Sequence, residues 1–196
     1  MGKIFCLMGK SASGKDTIYS RLLQMPELKL KKVIPYTTRP MRQGEIDGDT
    51  YFFCGEDAVE QLEKEHRIIE LRAYDTVHGI WKYFTADDGQ IDPASPFSYL
   101  MIGTLEAYEK IRDYFGAGRV IPLYIQVDDV LRLERALARE KQQQTPDCEE
   151  MCRRFLADAR DFSEEKLQEA KIKKRFENTE LEQTLQEISA YIKLQG

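Results

Sequence analysis

Histidine and tryptophan are scarce, at two and one in 196 residues. Neither His66 nor His78 stands in a spacing that makes a metal site or a nucleophile–base pair. Four cysteines (Cys6, Cys54, Cys148, Cys152) form no C-x-x-C pair, and the last two are one helical turn apart. No zinc site is expected from them, and free thiols fit a reducing, cytoplasmic compartment. No apolar run approaches the ~20 residues of a membrane span. The N-terminus enters a strand-like run at once, so no targeting segment is expected. Cys6 stands where a myristoylation pattern starting at Met1-Gly2 would need Ser or Thr. No internal repeat is visible. A surplus of positive charge is absent too: the net charge is −5, which argues against general nucleic-acid binding.

What is present points to phosphate. Gly9-Lys10-Ser11-Ala12-Ser13-Gly14-Lys15-Asp16-Thr17 follows an apolar strand-like run, Lys3 to Met8, and precedes a helix-like one, Thr17 to Leu23. Strand, glycine loop, lysine and helix form the context of a P-loop, or Walker A motif. Its glycines let backbone N–H groups close around phosphates, the helix N-terminus favours anions, and Lys15 bridges the outer phosphates. The residue after Lys15 is Asp16 rather than the usual hydroxyl, which comes one later at Thr17.

A second phosphate site is written in YTTRPMRQGEIDGDTYFF, residues 36–53. Arg39 and Arg42 supply planar forks suited to a phosphate dianion, and the Tyr51 hydroxyl adds a donor. Glu45 cannot bind phosphate; its expected task is to hold one of the arginines. Two phosphate sites imply transfer of a terminal phosphoryl group onto a monophosphate, a reaction carried by positioning and charge neutralisation.

These two motifs resemble the guanylate kinases, within the P-loop nucleoside monophosphate kinases, and the likeness continues more weakly along nearly the whole chain. The resemblance implies Mg²⁺-dependent transfer from ATP to GMP or dGMP, both small-molecule partners, in purine nucleotide metabolism. It implies ATP contacts at Gly9, Ser11, Ser13, Gly14, Lys15, Asp16, Thr17 and Asn178. It implies acceptor contacts at Arg39, Arg42, Glu45, Tyr51, Glu70, Tyr83 and Thr85. Guanine offers two adjacent donors that the Glu70 carboxylate can accept together, and the Thr85 hydroxyl can donate to the ring carbonyl. A site left with unpaired buried groups rejects the wrong base by roughly 10⁴-fold. Where the resemblance would place acids at a strand end, Met101 and Gly103 stand instead. Asp16 could then serve hydrated Mg²⁺ with Thr17, or simply occupy the first helical turn where acids are favoured. Two other readings stay open: a related kinase for another nucleotide or a sugar phosphate, and a non-catalytic guanylate-kinase-like binding module.

The expected fold is α/β: a P-loop kinase with a parallel core sheet flanked by helices, a small nucleotide-monophosphate-binding excursion and a helical lid. One domain covers 1–196, with core 1–33, 97–130 and 171–196, excursion 34–96 and lid about 131–170. Strands are expected near 3–8, Lys32 to Tyr36, Tyr51 to Cys54, Arg67 to Tyr74 with a turn near His78-Gly79, Phe97 to Ile102, an alternating Arg119 to Val127, and near Asn178. Helices are expected near 15–24, 56–65, 104–115, from a cap at Asp128 or Asp129 to Lys141, and over 180–194. Ala86 to Pro96 reads as a loop. In the lid, the resemblance favours Arg135, Arg139, Arg154 and Arg160 as closing on the phosphoryl group alongside Lys15 and Arg39; a solvated, ion-paired face is the alternative. The basic run 171–175 reads as a lead into the last strand, and Trp81 as a packing residue.

Overall fold

The computed structural model describes residues 2–42, 44–76 and 79–196. The turn expected near His78-Gly79 and the Met1-Gly2 pair therefore fall partly outside the described residues. Chain order is β1 (Ile4–Gly9), α1 (Lys15–Leu23), a 3-10 turn at Pro26–Leu28, β2 (Leu30–Lys32), β3 (Tyr36–Thr37), β4 (Phe52–Phe53) and α2 (Glu56–Lys64). It continues through β5 (Ile68–Thr76), β6 (Gly79–Ala86), β7 (Ser98–Ile102), α3 (Leu105–Phe115), β8 (Val120–Gln126) and α4 (Asp129–Glu140). It ends with α5 (Cys148–Asp161), α6 (Glu164–Glu169), β9 (Arg175–Glu177) and α7 (Leu181–Gln195).

Five strands form one parallel sheet in the order β2-β7-β1-β8-β9. β1 is its centre and all six of its residues are buried, which is why it reads as an unbroken apolar run. Its side chains still alternate between two layers. Ile4, Cys6 and Met8 join α3 residues Leu105, Tyr108 and Ile111 on one face, together with Phe162, Leu167 and Ile172. Phe5 and Leu7 face α1 and α7, where Ile18, Leu22, Leu185, Ile188 and Ile192 pack. Phe162, Leu167 and Ala170, within the stretch read as lid, are thus part of the core.

The second sheet, β4-β3-β6-β5, is mixed: β3 pairs parallel with β4 and antiparallel with β6, and β5 and β6 make a long antiparallel hairpin. The expected strand from Lys32 to Tyr36 is corrected here. Lys32 ends one sheet and Tyr36 begins the other, with Val33 to Pro35 crossing between them. Val33 still donates to the Leu100 carbonyl at 3.0 Å, and the Pro35 carbonyl already accepts from Phe52 at 2.9 Å. β6 has no counterpart among the expected strands. β8 does not alternate in burial, because it lies inside the sheet between β1 and β9.

The 86–96 loop seals the seam between the sheets. The Gln90 amide accepts from Ile34 N at 2.8 Å and donates to Ile34 O at 3.0 Å, like a strand partner. Asp88 accepts from the Tyr36 hydroxyl at 2.8 Å, and Asp92 N donates to the Tyr99 hydroxyl at 3.0 Å. Asp128 caps α4 by accepting from Val130 and Leu131 N–H groups. No helix among the described residues is long and apolar enough to cross a membrane.

Candidate active site

The glycine loop joins the C-terminal end of β1 to α1. Gly14 stands at φ +82°, in the left-handed region. A β-carbon there would lie 2.4 Å from Asn178 Nδ2, and one on Gly9 would lie 2.8 Å from the Ile125 carbonyl and the Ser13 hydroxyl. Asn178 Nδ2 donates to the Ser13 carbonyl at 2.8 Å, and Arg135 donates to the Asn178 carbonyl at 3.0 Å. Asn178 Oδ1 and Ser13 Oγ are buried with no hydrogen-bond partner among the described residues. Buried orphans of this kind call for a ligand group or water. Lys15 Nζ lies 3.6 Å from the exposed Asp16 carboxylate, and Thr17, also exposed, follows in the first turn of α1.

In the second loop Arg39 is buried and lays its fork on Glu45, with Nη1–Oε2 at 2.7 Å and Nη2–Oε1 at 2.5 Å. The same carboxylate accepts from the Arg42 backbone N–H at 2.7 Å. These bonds hold the Glu45 carboxyl at about 2, the Arg39 fork being the largest cause. The Arg39 guanidinium also stands 5.3 Å from the ring centres of Tyr51 and Phe53. Glu45 therefore fixes Arg39, while the Arg42 side chain and Tyr51 face a cavity. Burial raises the Tyr51 hydroxyl above its ordinary range, which keeps it a donor.

That cavity, of about 1180 Å³, is lined by Ser11, Arg42, Tyr51, Arg72, Tyr74, Trp81, Tyr83 and Arg153 and Arg154 among others. Tyr83 packs edge-on against Tyr51 and Tyr74, each at 5.6 Å. Beside Arg72, Glu70 is 2 % exposed and accepts the Thr85 hydroxyl at 2.8 Å. Arg72 donates to the same carboxylate, Nε–Oε2 2.9 Å and Nη2–Oε1 3.3 Å. Cys6 lies within reach of both charges. Burial pushes its thiol up to about 12, with Glu70 adding and Arg72 opposing.

The helix pair α4 and α5 borders the glycine loop. A second cavity of about 390 Å³ is lined by Ser11, Arg42, Arg139, Glu140, Glu150 and Arg154, among others. Ser11 and Arg42 thus line both cavities. Glu150 holds Arg153 and Arg154 at 2.6 and 2.7 Å. Arg160 is exposed and lines neither cavity. Arg132, outside the favoured set, is fully buried under the glycine loop: it donates to the Ser11 carbonyl at 3.0 Å and pairs with Asp129 and Asp158.

The guanylate kinase family model matches residues 1–80, a stretch that takes in the glycine loop, the Arg39–Tyr51 loop and Glu70. The fold is similar to that of guanylate kinase from Anaplasma phagocytophilum, with a TM-score of 0.68 at 18 % identity, over 98 % of this chain and 85 % of that one. The sequence likeness to that family is carried by residues 1–80, and the likeness in fold extends over nearly the whole chain. Its fold is the P-loop fold of the guanylate kinases, a parallel five-stranded sheet flanked by helices.

Sequence reasoning did not find Arg72 or Asp158, and among the arginines flanking the break in the lid it favoured others over Arg132 and Arg153. Arg72 was within reach of the alternation rule, since residues two apart on a strand share a face. The absent strand acids have a packing account: Met101 is buried beside Cys6 in the sheet, and a β-carbon on Gly103 would lie 3.1 Å from Cys6 Sγ. No group of three or more acid, His or Cys side chains suited to a metal occurs among the described residues. Mg²⁺ with nucleotide needs only one or two carboxylates besides phosphates and waters, and the exposed Asp16 with Thr17 fits that need.

Proposed function

We propose that the protein transfers the γ-phosphoryl group of ATP to a nucleoside monophosphate, with GMP and dGMP as the acceptors. The observation that carries this reading is the shared border of the two cavities. Ser11 of the glycine loop and Arg42 of the arginine loop face the same space, so a bound triphosphate and a bound monophosphate would meet there.

In this reading the glycine loop and Lys15 hold the triphosphate. Arg42 and Tyr51 hold the acceptor phosphate, with Arg39 fixed beside them by Glu45. An oxygen of that phosphate attacks the γ-phosphorus, the bond to the β-phosphate oxygen breaks, and the diphosphate leaves. The attacking oxygen is already ionised near neutral pH, since a phosphate monoester's second pKa is about 6, so no general base is required. Arg139 and Arg154 face the transferring group from the helix pair and offset its charge. Mg²⁺, held by Asp16 and Thr17, would neutralise the outer phosphates. An Asp16→Ser variant tests this: a several-fold higher Mg²⁺ requirement is expected, and an unchanged one removes Asp16 from the metal site. Glu70 and Thr85 stand where the base is read.

The deciding experiment is transfer from ATP–Mg²⁺ to GMP, dGMP, AMP, CMP, UMP and ribose phosphates, with Glu70→Gln alongside. Preference for GMP and dGMP, lost in the variant, is expected. Preference for another acceptor would overturn the guanine assignment, and no transfer to any acceptor would overturn the kinase reading.

A further inference from the structure

Glu70 and Arg72 sit two residues apart on β5 and so share a face of the hairpin. Their side chains are 1 % and 13 % exposed and joined by two hydrogen bonds. Burying two charges together adds little to stability, because the desolvation cost offsets the attraction. The pair therefore calls for another account, and its position supplies one: Arg72 lines the large cavity with Tyr51, Tyr74 and Tyr83.

A carboxylate beside a guanidinium offers, along one line, two acceptors and then two donors. Guanine's exposed edges run in the complementary order: the 2-amine and N1–H donate, then O6 and N7 accept. Adenine, cytosine and uracil break that order. The Thr85 hydroxyl, expected to donate to the ring carbonyl, is already spent on Glu70 Oε1 at 2.8 Å. The carbonyl then needs another donor, and Arg72 is adjacent.

We propose that Arg72 is a second reader of the acceptor base, donating its fork to guanine O6 and N7 while Glu70 accepts from N1–H and the 2-amine. This rests on the guanine nucleotide reading above. In the structure the fork lies across both oxygens of Glu70. For guanine to use those oxygens, Arg72 turns from capping the carboxylate to lying alongside it. Two hydrogen bonds are exchanged for four, and at no stage is Glu70 a buried charge without a partner. Arg72 thus has two tasks at one site, fixing the position of the Glu70 carboxylate and extending its selectivity to the N7 edge.

The test compares kcat/KM for GMP, IMP and 7-deaza-GMP in the wild type, Arg72→Lys and Arg72→Met. 7-Deaza-GMP keeps both donors and O6 but lacks the N7 acceptor, whereas IMP lacks the 2-amine. The wild type should prefer GMP over 7-deaza-GMP by roughly 10- to 100-fold, as expected for one charge-assisted bond. In Arg72→Met that ratio should fall toward one, and in Arg72→Lys, whose single ammonium does not reproduce the planar fork, it should shrink, while the GMP-to-IMP ratio, which reports Glu70, persists. Arg72→Lys keeps a cation beside Glu70 and guards against loss of fold. A purely structural role would lower activity on all three nucleotides and leave the ratios alone. Equal wild-type activity on GMP and 7-deaza-GMP, or a ratio unmoved in both variants, overturns the role of Arg72 and leaves the guanine reading standing. If GMP itself is inert with the wild type, the guanine reading fails and this inference falls with it.

Discussion

Asp158, on α5, accepts the backbone N–H of Ser11 in the glycine loop at 2.7 Å. The carbonyl of the same loop residue accepts from Arg132 Nε at 3.0 Å, and Arg132 Nη2 returns to Asp158 at 3.1 Å. Both backbone polar groups of one loop residue are therefore tied to the helix pair. Arg132 is fully buried and its guanidinium stands 4.7 Å from the Phe155 ring centre. Any movement of α5 is felt at the loop through Asp158.

Replacing Asp158 with Ala removes the acceptor for Ser11 N–H and one of the two carboxylates that pair with Arg132. A lost hydrogen bond to a charged group costs about 1.5–3 kcal/mol, so the urea midpoint should fall by that equivalent. ATP affinity, read by isothermal titration, should weaken several-fold as the loop loses its anchor. A variant with normal stability and normal ATP binding would show that the loop holds its shape without α5.

Acid sensitivity should trace to Glu45. Its folded-state carboxyl lies at about 2, below the ordinary 4.5, chiefly because of the Arg39 fork. A depressed carboxylate adds stability that is complete above the ordinary value and is lost as pH falls toward the folded one. The window is thus from about 4.5 down to about 2. Unfolding in urea across that range should show a steep loss in the wild type and a shallower one in Glu45→Gln. At neutral pH the same variant should raise KM for the monophosphate roughly tenfold, since charge-assisted bonds to Arg39 become neutral ones. An identical acid limb in both proteins would assign the sensitivity to other carboxylates, with Glu150, also held at about 2 by Arg153 and Arg154, the first to examine.

The parts of this molecule legible in its sequence are those written locally. β1, the glycine loop and α1 follow one another within 20 residues, and the buried strand shows as an apolar run. Gly116 at φ +91° ends α3 at the boundary expected near 115. β6 was not legible, because Trp81, Lys82 and Tyr83 carry no clear one-sided pattern: the strand packs Phe84 inward at one end and leaves Ile80 exposed at the other. The relationships that shape the candidate site are non-local. Asp158 and Ser11 are 147 residues apart, and one acid on a charged helix looks like every other acid there. Arg72 is the intermediate case: its spacing from Glu70 predicts a shared face, but only the fold places that face against a cavity.

The close approach of Gly14 and Asn178 gives a prediction that separates backbone strain from side-chain collision. Alanine at position 14 must adopt φ near +82°, which costs about 1–2 kcal/mol for a residue with a β-carbon. That carbon also meets Asn178 Nδ2 at 2.4 Å, and the amide is held there by its bond to Ser13. Gly14→Ala should therefore cost more than strain alone. In an Asn178→Ala background the collision is gone, so the same change should cost only the strain. The double mutant should then be more stable than the sum of the single losses predicts, by an interaction energy of about 1 kcal/mol or more. Urea unfolding of the four proteins in the cycle measures this directly. Additive losses would mean that Asn178 yields freely and that the left-handed backbone alone requires glycine at position 14.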